Sequence, residues 1–196
     1  MRKTAVVYYS KYGTTKKYAG IISDELGADL FEARNIKFRD LKDYDTVVFG
    51  GGIYSGGIGG IELITRNWYK GLNEKKVICF AVGIAADSEE NRQQCLDINF
   101  KRRFVTDAEE DHGREDLSAS ELLKEKRLPI RCFFLPGAFD PCKVKGRDKF
   151  IIGITKKMIG DSPEGKYLLD YFNKGCDLVD TGKIKPIIEA CLQHHI

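Results

Sequence analysis

The sequence predicts an α/β fold, a doubly wound five-stranded parallel sheet with helices on both faces, and two observations predict it. All five prolines fall at position 129 or later, so residues 1 to 128 run without interruption, and apolar runs there alternate with segments of helical period. That alternation is the signature of a βαβ chain. The β-rich runs are near-continuously apolar and lack tight-hairpin signals, as expected of parallel strands buried on both faces. Right-handed crossovers then leave few topologies, and in a doubly wound sheet ligands gather at the carboxyl ends of the strands.

Lys3 to Tyr9 (KTAVVYY) reads as the first buried strand. Thr15 to Leu26 carries Tyr18, Ala19, Ile22 and Leu26 at helical spacing, and Gly27 stops it. Ala28 to Phe31 is a short second strand, and after a charged loop Asp45 to Gly50 (DTVVFG) is the third. Ile61 to Tyr69 reads as a helix with Ile61, Ile64 and Trp68 on one side. Lys76 to Val82 is the fourth strand, Ile130 to Leu135 the fifth, and Ile184 to Leu192 a closing helix. Arg147 to Ile159 places Phe150, Ile151, Ile154 and Met158 on one helical face with Lys149, Lys156 and Lys157 elsewhere. Such a basic amphipathic helix suits either packing on the domain or a membrane surface.

Composition removes several function classes. With 42% hydrophobic and 11% aromatic residues the 196-residue chain has enough apolar matter for one good core and is not intrinsically disordered. Its 32 basic against 29 acidic residues leave a net charge of +3, which argues against nucleic acid as the partner. The longest apolar stretch, Val77 to Ala86, is far short of the roughly 20 residues a bilayer requires. The N-terminus reads as the first strand and not as a signal peptide, so a cytoplasmic protein is expected. Cysteines 79, 95, 132, 142, 176 and 191 lie far apart without CxxC or Cys/His ligand spacing, the pattern of reduced thiols and not of a zinc site. No catalytic residue stands out: His112 lies in an acidic loop, and His194 and His195 lie in the tail.

Three loops remain at the ligand edge. The first, Ser10-Lys11-Tyr12-Gly13-Thr14-Thr15, runs from strand one straight into a helix and lacks both the GxGxxG and the GxxxxGK[ST] fingerprints. Hydroxyls, a glycine and a helix N-terminus form a cradle for a phosphate monoester; a simple helix cap would use one hydroxyl, not three. The second loop packs seven of the chain's 20 glycines into positions 50 to 60. Glycine suits backbone that approaches a flat ligand or takes positive φ, and Tyr54 offers an aromatic face beside Gly51, Gly52, Ile53, Ser55 and Gly56. The third, Gly83-Ile84-Ala85-Ala86-Asp87, ends in a carboxylate suited to a ligand hydrogen bond or to a helix cap.

These residues resemble the flavodoxins. The strand ending Tyr8-Tyr9-Ser10 and the following KYGTT are similar to that family's phosphate loop, [ST]-x-[ST]-G-x-T, with Tyr12 at a position usually small or hydroxylated. Within the family the chain resembles the flavodoxin-type, menaquinone-dependent protoporphyrinogen oxidases and the flavodoxin-domain proteins grouped with them. The segments carrying this likeness are Pro136-Gly137-Ala138-Phe139-Asp140-Pro141, Arg147-Asp148-Lys149-Phe150 and Lys156-Lys157-Met158-Ile159-Gly160. The resemblance covers the chain except about residues 100 to 125. It implies strand order 2-1-3-4-5 with a C-terminal helical insertion, and FMN with its phosphate at Ser10, Lys11, Tyr12, Gly13, Thr14 and Thr15. Its ring would lie between the stretch Gly51 to Gly56, whose backbone would meet flavin N5 and C4=O, and Gly83, Ile84, Ala85 and Asp87. The third loop has no aromatic, so the second ring face is either open to a substrate or covered by Phe139 or another distant group.

The expected organisation is a single domain over 1–196, with an acidic insertion at about 104–118 and a second insertion at about 138–175. The implied function is FMN-dependent oxidoreduction or electron transfer. Narrower is a protoporphyrinogen dehydrogenase passing electrons to a quinone, and a flavin-free binding module is the alternative from another class. Partners would be a redox protein or a quinone- or porphyrin-like substrate, with peripheral contact at the inner membrane face through residues 147–159. Charge is segregated: residues 1 to 19 hold five bases and no acid, residues 107 to 116 six acids and one base. That pattern departs from the strongly acidic surface of the electron-carrying members and shifts weight toward an enzyme or a partner with an acidic surface, and away from a soluble electron shuttle.

Overall fold

Strand β1 (Thr4–Tyr9) lies inside the sheet, with Ala5 to Tyr8 buried. In the computed structural model, which describes residues 3–101, 130–160 and 162–193, it pairs in parallel with β2 (Asp29–Glu32) on one side and β3 (Thr46–Tyr54) on the other. Beyond β3 come β5 (Lys76–Gly83) and β6 (Arg131–Pro136), also parallel. The order β2-β1-β3-β5-β6 is the expected doubly wound one. The additional strand β4 (Gly57–Ile58) is a two-residue antiparallel return that pairs with β3.

Alternate residues of each strand feed opposite layers, as the pleat requires. On one face Val6, Val48, Ile78 and Phe80 pack with Tyr18, Ala19 and Ile22 of α1 (Thr14–Leu26) and Ile187 of α6 (Lys185–Leu192). On the other, Val7, Val47, Phe49 and Cys79 meet Ile64, Trp68 and Leu72, together with Cys95 and Leu96 of α3 (Glu89–Leu96). Fully burying side chains of this size contributes about 1.5–3 kcal/mol each. Helix α1 ends where Gly27 takes a left-handed φ of 55° and donates its N–H to the Asp24 carbonyl.

Two segments differ from expectation. The helix expected over 61–69 is only α2 (Glu62–Thr65), followed by single 3₁₀ turns at Trp68–Lys70 and Leu72–Glu74. The Asn67 side chain donates to the Leu63 carbonyl at 2.8 Å, competing for the helix's own acceptor, and Gly71 at φ 121° turns the chain away. The third strand, expected to stop at Gly50, continues to Tyr54, so Gly50, Gly51 and Gly52 are strand residues.

The insertion expected at about 138–175 contains β7 (Ala138–Phe139), α4 (Gly146–Met158) and α5 (Pro163–Lys174), and β8 (Cys176–Asp177) then closes a two-stranded antiparallel sheet with β7. The acidic segment at 104–118 with His112, and His194 and His195, lie outside the described residues. Among the described residues no helix is long and apolar enough to cross a membrane, and no cluster of His, Cys, Asp or Glu could hold a metal.

Candidate functional site

The carboxyl ends of β1, β3, β5 and β6 open onto one cavity of about 360 Å³, within the range of about 300–1,000 Å³ typical of ligand pockets. Its first wall is the turn from β1 into α1. Ser10 Oγ accepts the Gly13 N–H at 3.0 Å, closing the turn, and Gly13, at φ 100°, is the N-cap of α1 without any side-chain cap. Nothing lies within 4 Å of where a Gly13 Cβ would stand, so it is backbone conformation and not crowding that calls for glycine there. The first N–H groups of α1 are thus presented beside Thr14 and the buried Thr15, with Lys16 and Lys17 exposed in the same turn. Helix dipole and amide donors make this end favourable for an anion.

The second wall is a tight hairpin. Ser55 and Gly56, at φ 51° and 81°, are the two central residues between paired Tyr54 and Gly57, a turn that needs positive φ at both. Asn99, in the single π-helical turn Asp97–Lys101 that follows α3, clamps this hairpin. Its Oδ1 accepts the Ile58 N–H at 2.8 Å and its Nδ2 donates to the Gly56 carbonyl at 2.9 Å.

Most of the neighbouring glycines answer to packing. A Cβ on Gly50 would fall into the Phe80 ring, one on Gly51 would meet Ile58, and Gly59 and Gly60 lie against Tyr9. Gly52 and Gly56 remain on the cavity wall.

Tyr54 folds back over Gly52, with its hydroxyl accepting the Lys11 N–H at 2.9 Å. Its ring stands edge-to-face with Tyr9 and Tyr12, at centroid distances of 6.4 and 6.3 Å, and the Lys11 ammonium lies 4.6 Å from its centroid. Burial raises its phenol to about 12, so it stays neutral.

The third wall is the end of β5, where Gly83, Ile84 and Ala85 line the cavity. Asp87 is held aside from the wall, its carboxylate taking Lys183 Nζ at 2.7 Å and Arg92 at 3.4 Å.

The fourth wall was not foreseen as a group. Gly137 and Phe139 at the end of β6, Ile151, Ile152 and Thr155 of α4, and Leu168 and Phe172 of α5 give an apolar side, with Phe139 and Phe172 edge-to-face at 5.3 Å. Asp148 in the first turn of α4 reaches the phosphate-type loop. It accepts Lys11 Nζ at 2.9 Å and the Tyr12 hydroxyl at 2.6 Å. Those two partners, Tyr12 first, hold its carboxyl below the usual range. Burial, and then this bond to Asp148, pushes the Tyr12 phenol well up.

Thirteen of the sixteen expected site residues therefore line one cavity: Ser10, Lys11, Tyr12, Thr14 and Thr15 from the first loop, Gly52 to Gly56 from the hairpin, and Gly83, Ile84 and Ala85 from the third. Gly13, Gly51 and Asp87 are not on its wall. Gly13 acts through the turn it permits, and Gly51 is inside the sheet. Asp148 and Asn99 escaped attention for different reasons. Asp148 stands in the Arg147 to Phe150 segment that carries the family likeness, whereas Asn99 has no signal in its neighbourhood.

A cavity with these walls has the donors a phosphate needs at one end, and hairpin backbone, the β5 loop and an apolar side where a flat ring would lie. Residues 5–165 match the family model described as a flavodoxin domain. A search of curated proteins found no match. Among solved structures, oxidised flavodoxin 2 from Bacillus cereus is 20% identical, with 79% of this chain and 99% of that one covered at a TM-score of 0.39. The flavodoxin, WrbA-like protein from Agrobacterium tumefaciens is 19% identical, with 54% and 71% covered at 0.39. A Fusobacterium nucleatum flavodoxin bound to flavin mononucleotide is 15% identical over 43% of this chain, which spans 54% of its length, at 0.34. With the family model running from β1 into the insertion, over more than half of the chain, the chain belongs to the flavodoxin-domain family.

Proposed function

We propose that this chain is an FMN-binding oxidoreductase or electron-transfer protein of the flavodoxin type. The observation that carries the reading is the opposition, across one cavity, of a glycine-capped helix N-terminus and the tyrosine-bearing hairpin. Ser10, Gly13, Thr14 and Thr15 hold the phosphate, while the hairpin from Gly52 to Gly56 and the stretch Gly83 to Ala85 hold the ring. Bound FMN supplies the electron chemistry, and the protein's part is to bind, orient and tune it. Lys11, whose ammonium lies against the Tyr54 ring and pairs with Asp148, and Tyr12 add side-chain donors from the same loop. Flavin absorbance in the purified protein and a titration of stripped protein with FMN test this. The double change Gly13→Glu and Thr14→Glu sets a side chain where φ is 100° and two carboxylates at the anion end. Binding weaker by at least about a hundredfold is expected from lost donors and added repulsion. Unchanged affinity overturns the assignment, as does a wild-type protein that binds no FMN.

A narrower reading has its own support. The apolar fourth wall suits an apolar second reactant, a quinone or porphyrinogen, that would exchange electrons with the ring. Beside it, α4 leaves Phe150 72% and Met158 80% exposed, among Lys149, Lys156 and Lys157. An apolar face ringed by lysines suits peripheral contact with anionic lipid. Oxidation of protoporphyrinogen by a menaquinone analogue under anaerobic conditions, and cosedimentation with phosphatidylglycerol vesicles lost in Phe150→Ser/Met158→Ser, are the expected outcomes. Electron delivery to a protein acceptor alone, without vesicle binding, returns the chain to the broader reading.

A further inference from the structure

Helix α4 buries none of its residues and joins α5 through Lys156 Nζ and Asn173 Oδ1 at 2.7 Å. Among the described residues its polar contact with the β1–α1 turn is Asp148, which takes both side-chain donors at the lip of that turn. Lys11 Nζ lies 2.9 and 3.0 Å from the two carboxylate oxygens, and the Tyr12 hydroxyl 2.6 Å from one of them. The contact joins residues 136 and 137 positions apart. It places a carboxylate from the insertion, paired with Lys11, on the wall of the cavity whose β1–α1 end presents donors for an anion, so that carboxylate and a phosphate bound there would draw on the same ammonium. Gly146, which starts α4, takes φ 54° with nothing within 4 Å of its would-be Cβ, so backbone conformation and not crowding calls for glycine there.

Resting on the FMN reading, we propose that Asp148 is an internal stand-in for the cofactor's phosphate: its carboxylate latches α4 to Lys11 and Tyr12, and the phosphate of an entering flavin competes for the same donors and releases the helix. Ile151 and Ile152 of α4 form part of the apolar wall. Release therefore loosens that wall only once the cofactor is seated, so an apolar second reactant is admitted after the flavin and not before it. An ammonium with three donors is able to bridge two anions. In that case Asp148 assists phosphate binding, and its removal has the opposite sign.

The test compares wild type with Asp148→Asn, and with Asp148→Ser as a second variant, each checked by circular dichroism for native fold. FMN and riboflavin, which lacks the phosphate, are titrated into the stripped proteins, and hydrogen–deuterium exchange is followed over residues 146–158. FMN is expected to bind both variants about five- to tenfold more tightly than wild type, with the gain shrinking at high salt. Riboflavin affinity stays the same. FMN speeds exchange in α4 of wild type, whereas the variants exchange fast with or without it. Weaker or unchanged FMN binding in the variants, or α4 exchange in wild type indifferent to FMN, overturns the latch. Failure of every protein to bind FMN and riboflavin alike overturns the FMN reading itself and the latch with it.

Discussion

A methyl group at position 50 would land in the ring of Phe80, the residue paired with Gly50 across β3 and β5. The ring is fully buried in the layer that packs on α1, so it has no empty space to move into. Gly50→Ala is therefore expected to lower stability by about 1–3 kcal/mol through overpacking, or roughly 2–12 °C in Tm for a chain of this size. Thermal and urea denaturation measure it, and adding Phe80→Leu should return part of the loss. If Gly50 serves ligand approach and not packing, stability stays level and FMN affinity falls instead. Gly56 is of the other kind. Its φ of 81° in the hairpin turn calls for glycine whatever surrounds it.

At the scale of elements, the central parallel strands β1, β3 and β5 were legible because they are buried on both faces, and β1 and β5 read as unbroken apolar runs. Val6 to Tyr8 and Ile78 to Val82 need no partner to be recognised. The segment 61–69 was misjudged in length only: Ile61, Ile64 and Trp68 are buried on one side as their spacing implies, but the Asn67 side chain diverts the backbone between them. The hairpin was illegible because glycine has no side-chain alternation, so a strand of Gly50, Gly51 and Gly52 looks like a loop. Asp148 and Asn99 were illegible as site residues because their partners lie 137 and 43 positions away, and spacing within a segment carries no trace of such pairs. Asn99 makes a prediction of its own. Asn99→Ala leaves the Ile58 N–H and Gly56 carbonyl without their clamp, at a cost of about 1–3 kcal/mol. The hairpin wall loosens, so FMN binding weakens by more than it does for an equally destabilising substitution remote from the cavity. Calorimetric titration alongside denaturation separates the two effects, and equal losses in both variants would make Asn99 merely structural.

Across the whole molecule, the cavity depends on joining two stretches of chain that are far apart in sequence, and one buried tyrosine does much of the joining. Tyr18 of α1 is fully buried. Its hydroxyl donates to the Pro136 carbonyl at the end of β6 at 2.8 Å and accepts the Asp180 N–H at 2.9 Å. That second contact fixes the turn leading to Lys183, whose ammonium holds Asp87 at the end of the β5 loop. One hydroxyl thus connects the helix that starts at the anion end, the strand end that carries Gly137, and the ion pair steadying the third loop. Burial raises the phenol, so it works as a neutral donor and acceptor throughout the ordinary pH range. Tyr18→Phe keeps the ring and removes both bonds, stranding an N–H and a carbonyl in partly dry surroundings. The expected loss is about 1–3 kcal/mol, seen in urea denaturation with an unchanged m-value. Hydrogen exchange should rise at the amides of residues 137–138 and 178–183 together, since both stretches lose the same anchor. Exchange that rises at only one of them would mean that the two stretches are held independently and that Tyr18 is a core residue like its neighbours Ala19 and Ile22.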